Sequence, residues 1–356
     1  MSDITLSLKN SGGLMKRLTT IMLFAAILVV VGTSSSFALQ FRFTNNGSIN
    51  ATDRGLILNQ LNGVGSQFEK IDRPTKLTGA FADAATYSNS AATQRGYGNY
   101  DIFAFTLGAM VGAQLPGNDQ NALENISTDL EKNGDAEIGI NMQVAGQLGI
   151  NCSSLIDGLY LGVRYGSIKR NQDFDDEEYD FDAFAFGIVA NYRLFEASDI
   201  GFGVIKWRGI SLGSGLMYQR TRNEFGISGN QLVNVGSYYV NPDLTFSLKT
   251  TTFSVPLEMT TAIRLLWAVN FHVGVGADLQ LVSKSELALK SDALVTGGGT
   301  ARVSASEKMT EHGSIFKPKF MCGFGIGIAD IFILDVPITY YVGDGVNIGF
   351  SMGTVW

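Results

Sequence analysis

The 356-residue sequence contains little proline, cysteine, histidine or charge. It has 6 prolines, 2 cysteines and 2 histidines, and 17% of its residues are charged. The two cysteines, Cys152 and Cys322, lie far apart and support neither a disulfide framework nor a metal cluster, so we expect no bound metal and no cofactor. The formal net charge of −7 argues against nucleic acid as a partner.

Long apolar runs are also scarce, and the one that exists lies near the start. Lys16 and Arg17 precede a run from Leu18 to Gly32, and small residues follow as far as Ala38. A basic start, an apolar centre and small residues before a break are typical of a secretory signal peptide, so residues 1–38 are predicted to be cleaved. A membrane anchor is the alternative, but the run is short and has no basic flank after it. Met15 is an alternative start of the protein.

No later run reaches the length of a membrane helix, so any spanning of a bilayer has to be done by strands. From Tyr100 onward, apolar residues occupy every second position and the positions between them are mostly Gly, Ala, Ser and Asn. Strand side chains alternate between two faces, so this period predicts strands with one apolar and one small or polar face. Ten such segments occur, at residues 103–112, 137–150, 158–166, 183–194, 210–219, 253–264, 269–281, 319–328, 332–340 and 346–356.

The fold predicted from these segments is an all-β, antiparallel, up-and-down transmembrane β-barrel over residues 100–356. A soluble β-sandwich is the alternative, but small, uncharged residues would make a poor soluble surface. About ten strands are expected; residues 233–239 and 244–248 are either two further strands, which would give twelve, or a hairpin projecting above the membrane. Short joins alternate with long polar joins at residues 116–135, 169–180, 221–250 and 283–314. Because outer-membrane barrels have short periplasmic turns and longer outer loops, both chain ends are predicted to be periplasmic.

The last strand carries a more specific signal. From Val346 to Trp356 one face is apolar, and the chain stops on an aromatic residue in phase with that face. A terminal amphipathic strand of this kind, with Phe350 and Trp356 on its apolar side, resembles the C-terminal signature of bacterial outer-membrane β-barrel proteins. The resemblance implies a location in the cell outer membrane, contact with its lipids, and recognition of the strand by the barrel-assembly machinery.

Residues 39–99 differ from the rest. Leu39, Phe41 and Phe43 alternate and suit one short strand or an extended lead. Apolar residues recur at helical spacing from Asp53 to Phe68, with Asp53 as a candidate N-cap, and an alanine-rich segment from Ala82 to Ala92 suits a second helix. We expect this region to be a partly helical plug inside the barrel or, alternatively, a periplasmic segment.

Charged residues on the small-residue face are predicted to form a polar cluster in the lumen. A hydrogen-bonded network that holds the wall or the plug is a commoner role for such residues than catalysis. The predicted cluster consists of Glu137, Arg164, Arg193, Glu258, Arg264, His272, Asp278 and Lys319.

A dense run of acids lies in the second predicted outer loop. It is a candidate for holding divalent cations, although a solvated, self-repelling loop is the commoner interpretation and the spacing is not that of a calcium loop. The run consists of Asp173, Asp175, Asp176, Glu177, Glu178 and Asp180.

Three functions fit these features. The first is a narrow channel or plugged transporter for small or hydrophobic solutes; the N-terminal segment is similar to that of long-chain fatty-acid transporters, but the strand count is lower and their Asn-Pro-Ala motif is missing. The second is a surface adhesin or ligand-binding barrel that acts through its long loops.

The third, a barrel-embedded hydrolase, is disfavoured. Asn270 stands where the Asp-x-His of omptin proteases would need an acid before His272. His312 and Ser314 resemble the His-x-Ser of lipid A deacylases, but those barrels are smaller and the next residue here is Ile315. We therefore predict that the protein is not an enzyme.

Overall fold

A computed structural model describes residues 40–65, 74–93, 100–115, 138–174, 177–200, 204–227, 233–266, 268–328, 331–343 and 345–356. The predicted signal peptide, residues 1–38, lies outside these ranges, as does the predicted first outer loop from residue 116 to 135. The described strands are β1 (Arg42–Asn45), β2 (Phe103–Gln114), β3 (Gly139–Asn151), β4 (Leu159–Phe174), β5 (Glu177–Phe195), β6 (Ser198–Ile200), β7 (Ile205–Ile227), β8 (Val233–Val235), β9 (Tyr238–Leu265), β10 (Val269–Gly297), β11 (Ala301–His312), β12 (Phe316–Ile328), β13 (Phe332–Tyr341) and β14 (Gly345–Val355).

Ten of these strands form a closed antiparallel ring. The order is β2-β3-β4-β5-β7-β9-β10-β12-β13-β14, and β14 pairs with β2 to close it. The predicted ten-stranded barrel is confirmed, and each predicted segment lies on one strand of the ring. Closure leaves no free edge in the wall, which a membrane-spanning sheet requires.

The two faces of the ring are those that the alternation predicts. In β3, for example, Ile140, Met142 and Leu148 are exposed on the outside, while Asn141 and Gln143 are buried inside. The outer face of the barrel is therefore a belt of exposed Leu, Ile, Val, Phe and Met, and the inner face is polar or small. A belt of this kind is unsuited to water and is typical of an outer-membrane barrel.

The two ends of the barrel differ, and we name them by their connections. The short-turn end carries the joins after residues 151, 195, 265 and 328, together with Trp356, whose backbone N donates to the Phe103 carbonyl (2.9 Å). The long-loop end carries the remaining connections. Three of the four long joins predicted there are wrong in part, because strands occupy much of residues 169–180, 221–250 and 283–314.

Many of the strand residues found in these predicted loops project beyond the ring. β9 and β10 have 28 and 29 residues, whereas a tilted strand needs about ten to cross a bilayer. They stay paired to Tyr238 and Gly297, and β8, β11 and β1 extend the sheet in the order β1-β11-β10-β9-β8. Of the two alternatives for residues 233–248, the projecting hairpin is the observed one.

A helix packs on this projecting sheet. The helix, α1 (Ala51–Gly65), buries Ile57 and Leu61 against β1 and the far ends of β8 to β11. Asn50 is its N-cap: its side-chain oxygen accepts from the Asp53 backbone N at 2.9 Å, and its amide donates to the Asp53 carboxylate at 2.8 Å. The predicted cap, Asp53, is wrong; it is the third helical residue, and its backbone N and carboxylate both bond to the side chain of the N-cap Asn50. We call α1 with this sheet, residues 233–248 and 284–312 and β1, the outer cap.

A second helix, α2 (Pro74–Ser88), runs down inside the ring. Its early residues lie near Gly139 at the long-loop end, and the turn after it reaches Gly108 in the middle of β2. We call α2 with residues 89–93 the plug. The chain thus enters the lumen from the outer cap and starts β2 at the short-turn end. The two chain ends of the barrel, the start of β2 and Trp356, lie together at the short-turn end, whereas β1, which precedes the barrel in the chain, lies at the long-loop end.

Neither described helix is long and apolar enough to cross a bilayer.

Candidate functional site

The plug lies against the barrel wall through small residues on both sides. Alanines of α2 are buried at its wall contacts, and glycines of the wall stand opposite them. A Cβ on Gly112 would lie 2.5 Å from the Ala84 carbonyl and 2.8 Å from the Tyr87 Cβ, so no larger residue fits there without a shift. The glycines that are costly in isolated strands are used here for close approach of helix and wall.

One ion pair joins the plug to the long-loop rim. The Asp83 carboxylate accepts from the Lys317 ammonium at 2.9 Å and from the Ser314 backbone N at 2.9 Å. Both side chains are almost wholly buried, at 12% and 11% exposure. His312 contacts the Ser283 carbonyl oxygen, 3.2 Å from its Nδ1. The His-x-Ser segment therefore forms part of the plug's docking point.

Further down, neutral and cationic polar groups bridge the plug to the wall. The Arg164 guanidinium donates to the Asn89 carbonyl, and the Asn89 amide donates to Ser254 Oγ at 3.2 Å. Gln219 donates to Ser88 Oγ at 3.0 Å, and Asn347 donates to the carbonyl of Tyr87 at 2.7 Å. The plug is thus held around its circumference by strands that are distant in sequence.

A separate network lies beside the plug. Lys319 donates to Glu258 at 2.6 Å and to Asp278 at 2.7 Å, and the Tyr341 hydroxyl donates to Asp278 at 3.0 Å. This group lines one side of a cavity of about 20 Å³ whose opposite side is formed by Thr86, Asn89 and Ser90 of the plug. A space of that size holds one or two water molecules, and its lining supplies their hydrogen-bond partners.

The remaining members of the predicted cluster lie elsewhere. His272 is buried with its Nδ1 3.6 Å from Asp335, and Arg264 is buried on β9. Arg193 is near the short-turn end, 3.6 Å from Asp157 and 3.7 Å from Glu196. Glu137 lies outside the described residues. The structure therefore brings together Glu258, Asp278 and Lys319, while Arg164 binds the plug.

The acidic run is not a loop in the part of the chain that is described. Glu178 and Asp180 lie on β5, opposite Asp173 and Asn171 of β4, so the hairpin continues through the run. Asp175 and Asp176 lie outside the described residues, as do the side chains of Asp173 and Glu177. Among the described residues there is no group of three or more His, Cys, Asp or Glu side chains suited to hold a metal ion.

Sequence reasoning missed the plug's half of the site. Asp83, Tyr87 and Asn89 contact the wall, but their partners are more than 25 residues away and no local period marks them. A usable signal existed for Asp83, since it is the only acid in the stretch Ala80–Ala92, whose other residues are mostly small. Asp335 was predicted to be a strand residue without a site role, and Tyr341 lies just beyond the predicted segment 332–340.

At the short-turn end, the Trp356 ring stacks on Phe103, with centroids 4.5 Å apart, and Phe350 is exposed on the outer face. These are the residues of the predicted assembly signal. That role stays a prediction.

Comparisons with known proteins give the following. A family model described as Lsa36-like matches residues 31–356. The search of curated proteins found no match.

Among solved structures, the translocator domain of the autotransporter NalP from Neisseria meningitidis is similar at 8% identity, with 80% of this chain and 99% of that chain covered and a TM-score of 0.34. The Ralstonia pickettii toluene transporter TbuX is similar at 9% identity, with 79% and 99% covered and a TM-score of 0.30. A Pseudomonas aeruginosa FadL homologue is similar at 8% identity, with 79% and 98% covered and a TM-score of 0.25. At these TM-scores the similarities carry no argument about function.

Proposed function

The chain belongs to the Lsa36-like family, and from that premise we propose that it is a plugged outer-membrane channel or transporter for small or hydrophobic solutes. In this proposal the plug closes the lumen at rest, and a displacement of the plug opens a path along the wall.

The observation that carries the proposal is the chemistry of the plug–wall contact. Its apolar part consists largely of alanines and of one aromatic stack, in which the Tyr87 ring lies 4.1 Å from the Tyr341 ring of the wall. The rest is a set of hydrogen bonds and the Asp83–Lys317 ion pair. Little apolar surface becomes exposed when such a contact separates, and water can replace the lost hydrogen bonds. A contact built in this way is suited to reversible opening, whereas an apolar core would hold the plug permanently.

The wall supports the same conclusion. A ten-stranded barrel has a modest interior. The wall glycines leave the room that the plug fills, and a larger side chain at those positions would remove it. With the plug in place, a cavity of about 20 Å³ remains beside it, next to Lys319. That cavity is too small for a solute larger than water.

The test is a reversible tether. In a protein with Cys152 and Cys322 replaced by alanine, the double variant D83C/K317C is bridged with a bis-methanethiosulfonate and studied as single channels in planar bilayers. We expect openings in the unbridged variant, their loss on bridging and their return on reduction. The matched control is D182C/R220C, which joins two wall strands across a 3.2 Å ion pair outside the lumen. Openings that persist in the bridged plug variant would refute the proposal.

A second candidate function, binding of host or envelope components at the surface, is favoured by the outer cap. This unit has its own hydrophobic core, which includes Ile57, Leu61, Val240 and Val303, and such a core is what a stable binding platform requires. The test compares the binding of a panel of matrix proteins and envelope polysaccharides to the wild type and to L61D. Equal binding by both would count against a role of the cap.

The same proposal includes the cleavage of the signal peptide and the bounds of the regions that follow it. We propose export by a signal peptide at residues 1–38, a plug and cap region at residues 39–99, and a barrel from residue 100, assembled by recognition of the terminal strand. The hydrolase alternative is the weakest, because the backbone N of Ser314 and the ring of His312 make contacts at the plug's docking point.

A further inference from the structure

The outer face of the barrel carries a row of aromatic residues on four neighbouring strands. Tyr165 of β4 is opposite Phe186 of β5, which is opposite Tyr218 of β7, which is opposite Phe253 of β9. Aromatic side chains of this type concentrate where the apolar belt of an outer-membrane barrel meets the headgroups. The row therefore marks the upper edge of the apolar belt on this sector of the wall.

Cations follow directly above that row. Two positions further along the strands, Arg220 of β7 and Lys284 of β10 flank Thr251, and four positions further, Lys169, Arg222 and Lys249 lie in the next row. Four of these side chains point outward, because the residues beside them contact the lumen: Gln219 and Ser283 bond to the plug, and Thr221 and Thr250 bond to Asn141. Lys169 is on the outer face of β4, in phase with the exposed Tyr165 and out of phase with Arg164, which bonds to the plug. We call these five residues the basic sector.

Their charge is only partly balanced. Asp182 pairs with Arg220 at 3.2 Å, Glu224 pairs with Arg222, and Glu286 lies 3.7 Å from Lys284. The hydrogen bond from Lys308, 2.9 Å away, lowers the pKa of Glu286, so this carboxylate is mainly committed to a residue of the outer cap. Lys169 and Lys249 make no ion pair within the described part of the chain.

Arg222 and Lys249 stand directly opposite one another on β7 and β9, and on their other sides Arg222 faces Asp182 of β5 and Lys249 faces Glu286 of β10. Like charges at such a position destabilise a sheet. A bound anion between them would offset this repulsion, and both side chains are exposed and so accessible to it.

The rest of the wall lacks this feature where it is described. Toward the long-loop end, the outward residues of the other ring strands are apolar, such as Val111, Ile140, Phe316, Tyr340 and Val346. The lysines of β12, Lys317 and Lys319, point into the lumen. The cations are therefore concentrated on one sector, which a general requirement for solubility would not produce.

From this geometry we propose that the basic sector binds the phosphate group of a membrane lipid in the leaflet at the long-loop end. The phosphate lies between Arg222 and Lys249, with Lys169, Arg220 and Lys284 around it, and the acyl chains lie on the apolar belt below the aromatic row. A lipid fits better than free phosphate because the site is continuous with the belt that its chains would cover.

The experiment uses the purified full chain in detergent and native mass spectrometry. The probes are phosphatidylglycerol and phosphatidylcholine with identical acyl chains, each added at the same ratio, with and without millimolar inorganic phosphate. We expect the anionic lipid to be retained at least about fivefold more, the factor that a single cation near a lipid headgroup contributes. In R222Q/K249Q this preference should disappear, and in R222K/K249R it should remain.

The matched control is K290Q/R302Q, which removes the same charge from exposed positions of the outer cap. It should keep the preference. Because all of these positions are exposed, the variants should fold, and heat-modifiable migration on gels checks that they do. Equal retention of the two lipids by the wild type, or an undiminished preference in R222Q/K249Q, would overturn the proposal. So would loss of the retained lipid in the presence of inorganic phosphate.

Discussion

Asp83 and Lys317 are two oppositely charged residues from distant parts of the chain that meet in the lumen, where both side chains are almost wholly buried. Breaking a buried pair by removing one partner leaves the other charge uncompensated, which is costly. The pair therefore controls the position of the plug more than any neutral hydrogen bond does. It also explains why Gly313 precedes Ser314, since a Cβ at Gly313 would lie 2.5 Å from the Asp83 carboxylate.

Replacing Asp83 by Asn should weaken the docking of the plug by about 3–5 kcal/mol, because Lys317 keeps its charge and loses its counterion. We expect more frequent single-channel openings in planar bilayers than for the wild type. Asp182→Asn, which affects an exposed ion pair worth about 0–1 kcal/mol, is the control and should behave like the wild type. Identical open probabilities for the two variants would contradict this account.

Gly112→Val tests the close approach of plug and wall. A valine side chain cannot share the space with Ala84 and Tyr87, so the plug should be displaced while the ring remains closed. The expected result is a raised basal conductance together with unchanged heat-modifiable migration on gels. Gly226→Ala, where a Cβ would have no neighbour closer than 3.7 Å, is the matched control. A closed lumen in G112V would show that the contact tolerates bulk.

The inward direction of Arg164, Glu258 and Lys319 could be predicted from the sequence because it follows from a period of two. Their partners could not. A side chain's period fixes the face on which it lies, but not which residue of a distant helix lies opposite. Asp83 contacts a strand 234 residues further along the chain, and only the packing of α2 in the ring brings the two together.

Among the larger elements, β9 and β10 differ from the other ring strands by continuing into the outer cap. Each spans the wall with its short-turn half and supports the cap with the other half, so the two regions share one antiparallel ladder, with a β-bulge between Gln280 and Val282. The Tyr238 hydroxyl donates to Asp53 of α1 at 2.8 Å, and this hydrogen bond raises the pKa of Tyr238. The cap is therefore fixed to the barrel through covalently continuous strands.

The ten wall strands could be predicted because each has a clean apolar face toward lipid. The cap strands were predicted to be loops because their pattern is weaker: on β10, Ser285, Leu287 and Ser291 are all buried, so the inner face mixes serine with leucine. Because serines interrupt the buried face, a count of apolar residues does not distinguish this segment from a polar loop. Lys284, Glu286 and Lys290 lie at positions that alternate with these buried residues, which is the period of a strand.

Leu61→Asp should unfold the outer cap and leave the barrel intact. Leu61 is fully buried in the cap core, and a carboxylate there has no partner. Even Leu→Ala at such a site costs about 2–5 kcal/mol, so the cap should become open to protease at β1 and α1. The measurement is limited proteolysis of detergent-purified protein. Leu56→Asp, at a position of the same helix that is 57% exposed, should leave the cleavage pattern unchanged.

For the whole molecule, the path of the chain determines which regions are exposed on each side of the membrane. We propose that the short turns face the periplasm. β1 and α1 then lie outside the cell, and the chain passes inward through the ring before it forms the first wall strand. No pattern in the sequence indicated this, because the direction of the plug depends on where its two ends are attached.

Cysteine labelling on intact cells tests this path. In a background without Cys152 and Cys322, Asn46→Cys should react with a membrane-impermeant maleimide before lysis, since Asn46 is exposed next to β1. Ser154→Cys, in the exposed turn between β3 and β4, should react only after the outer membrane is opened. If Asn46→Cys labels only after lysis, the described N-terminal region is on the periplasmic side.

The plug is attached at both of its ends, to the outer cap through α1 and to the wall through β2. It cannot leave the ring as a free stopper, in either direction, while the cap stays folded. A passage can then widen only as far as the number of residues in the two connectors permits, which are residues 66–73 between the helices and residues 94–99 between the plug and Tyr100. Lengthening or shortening those connectors should therefore set the largest molecule that can pass.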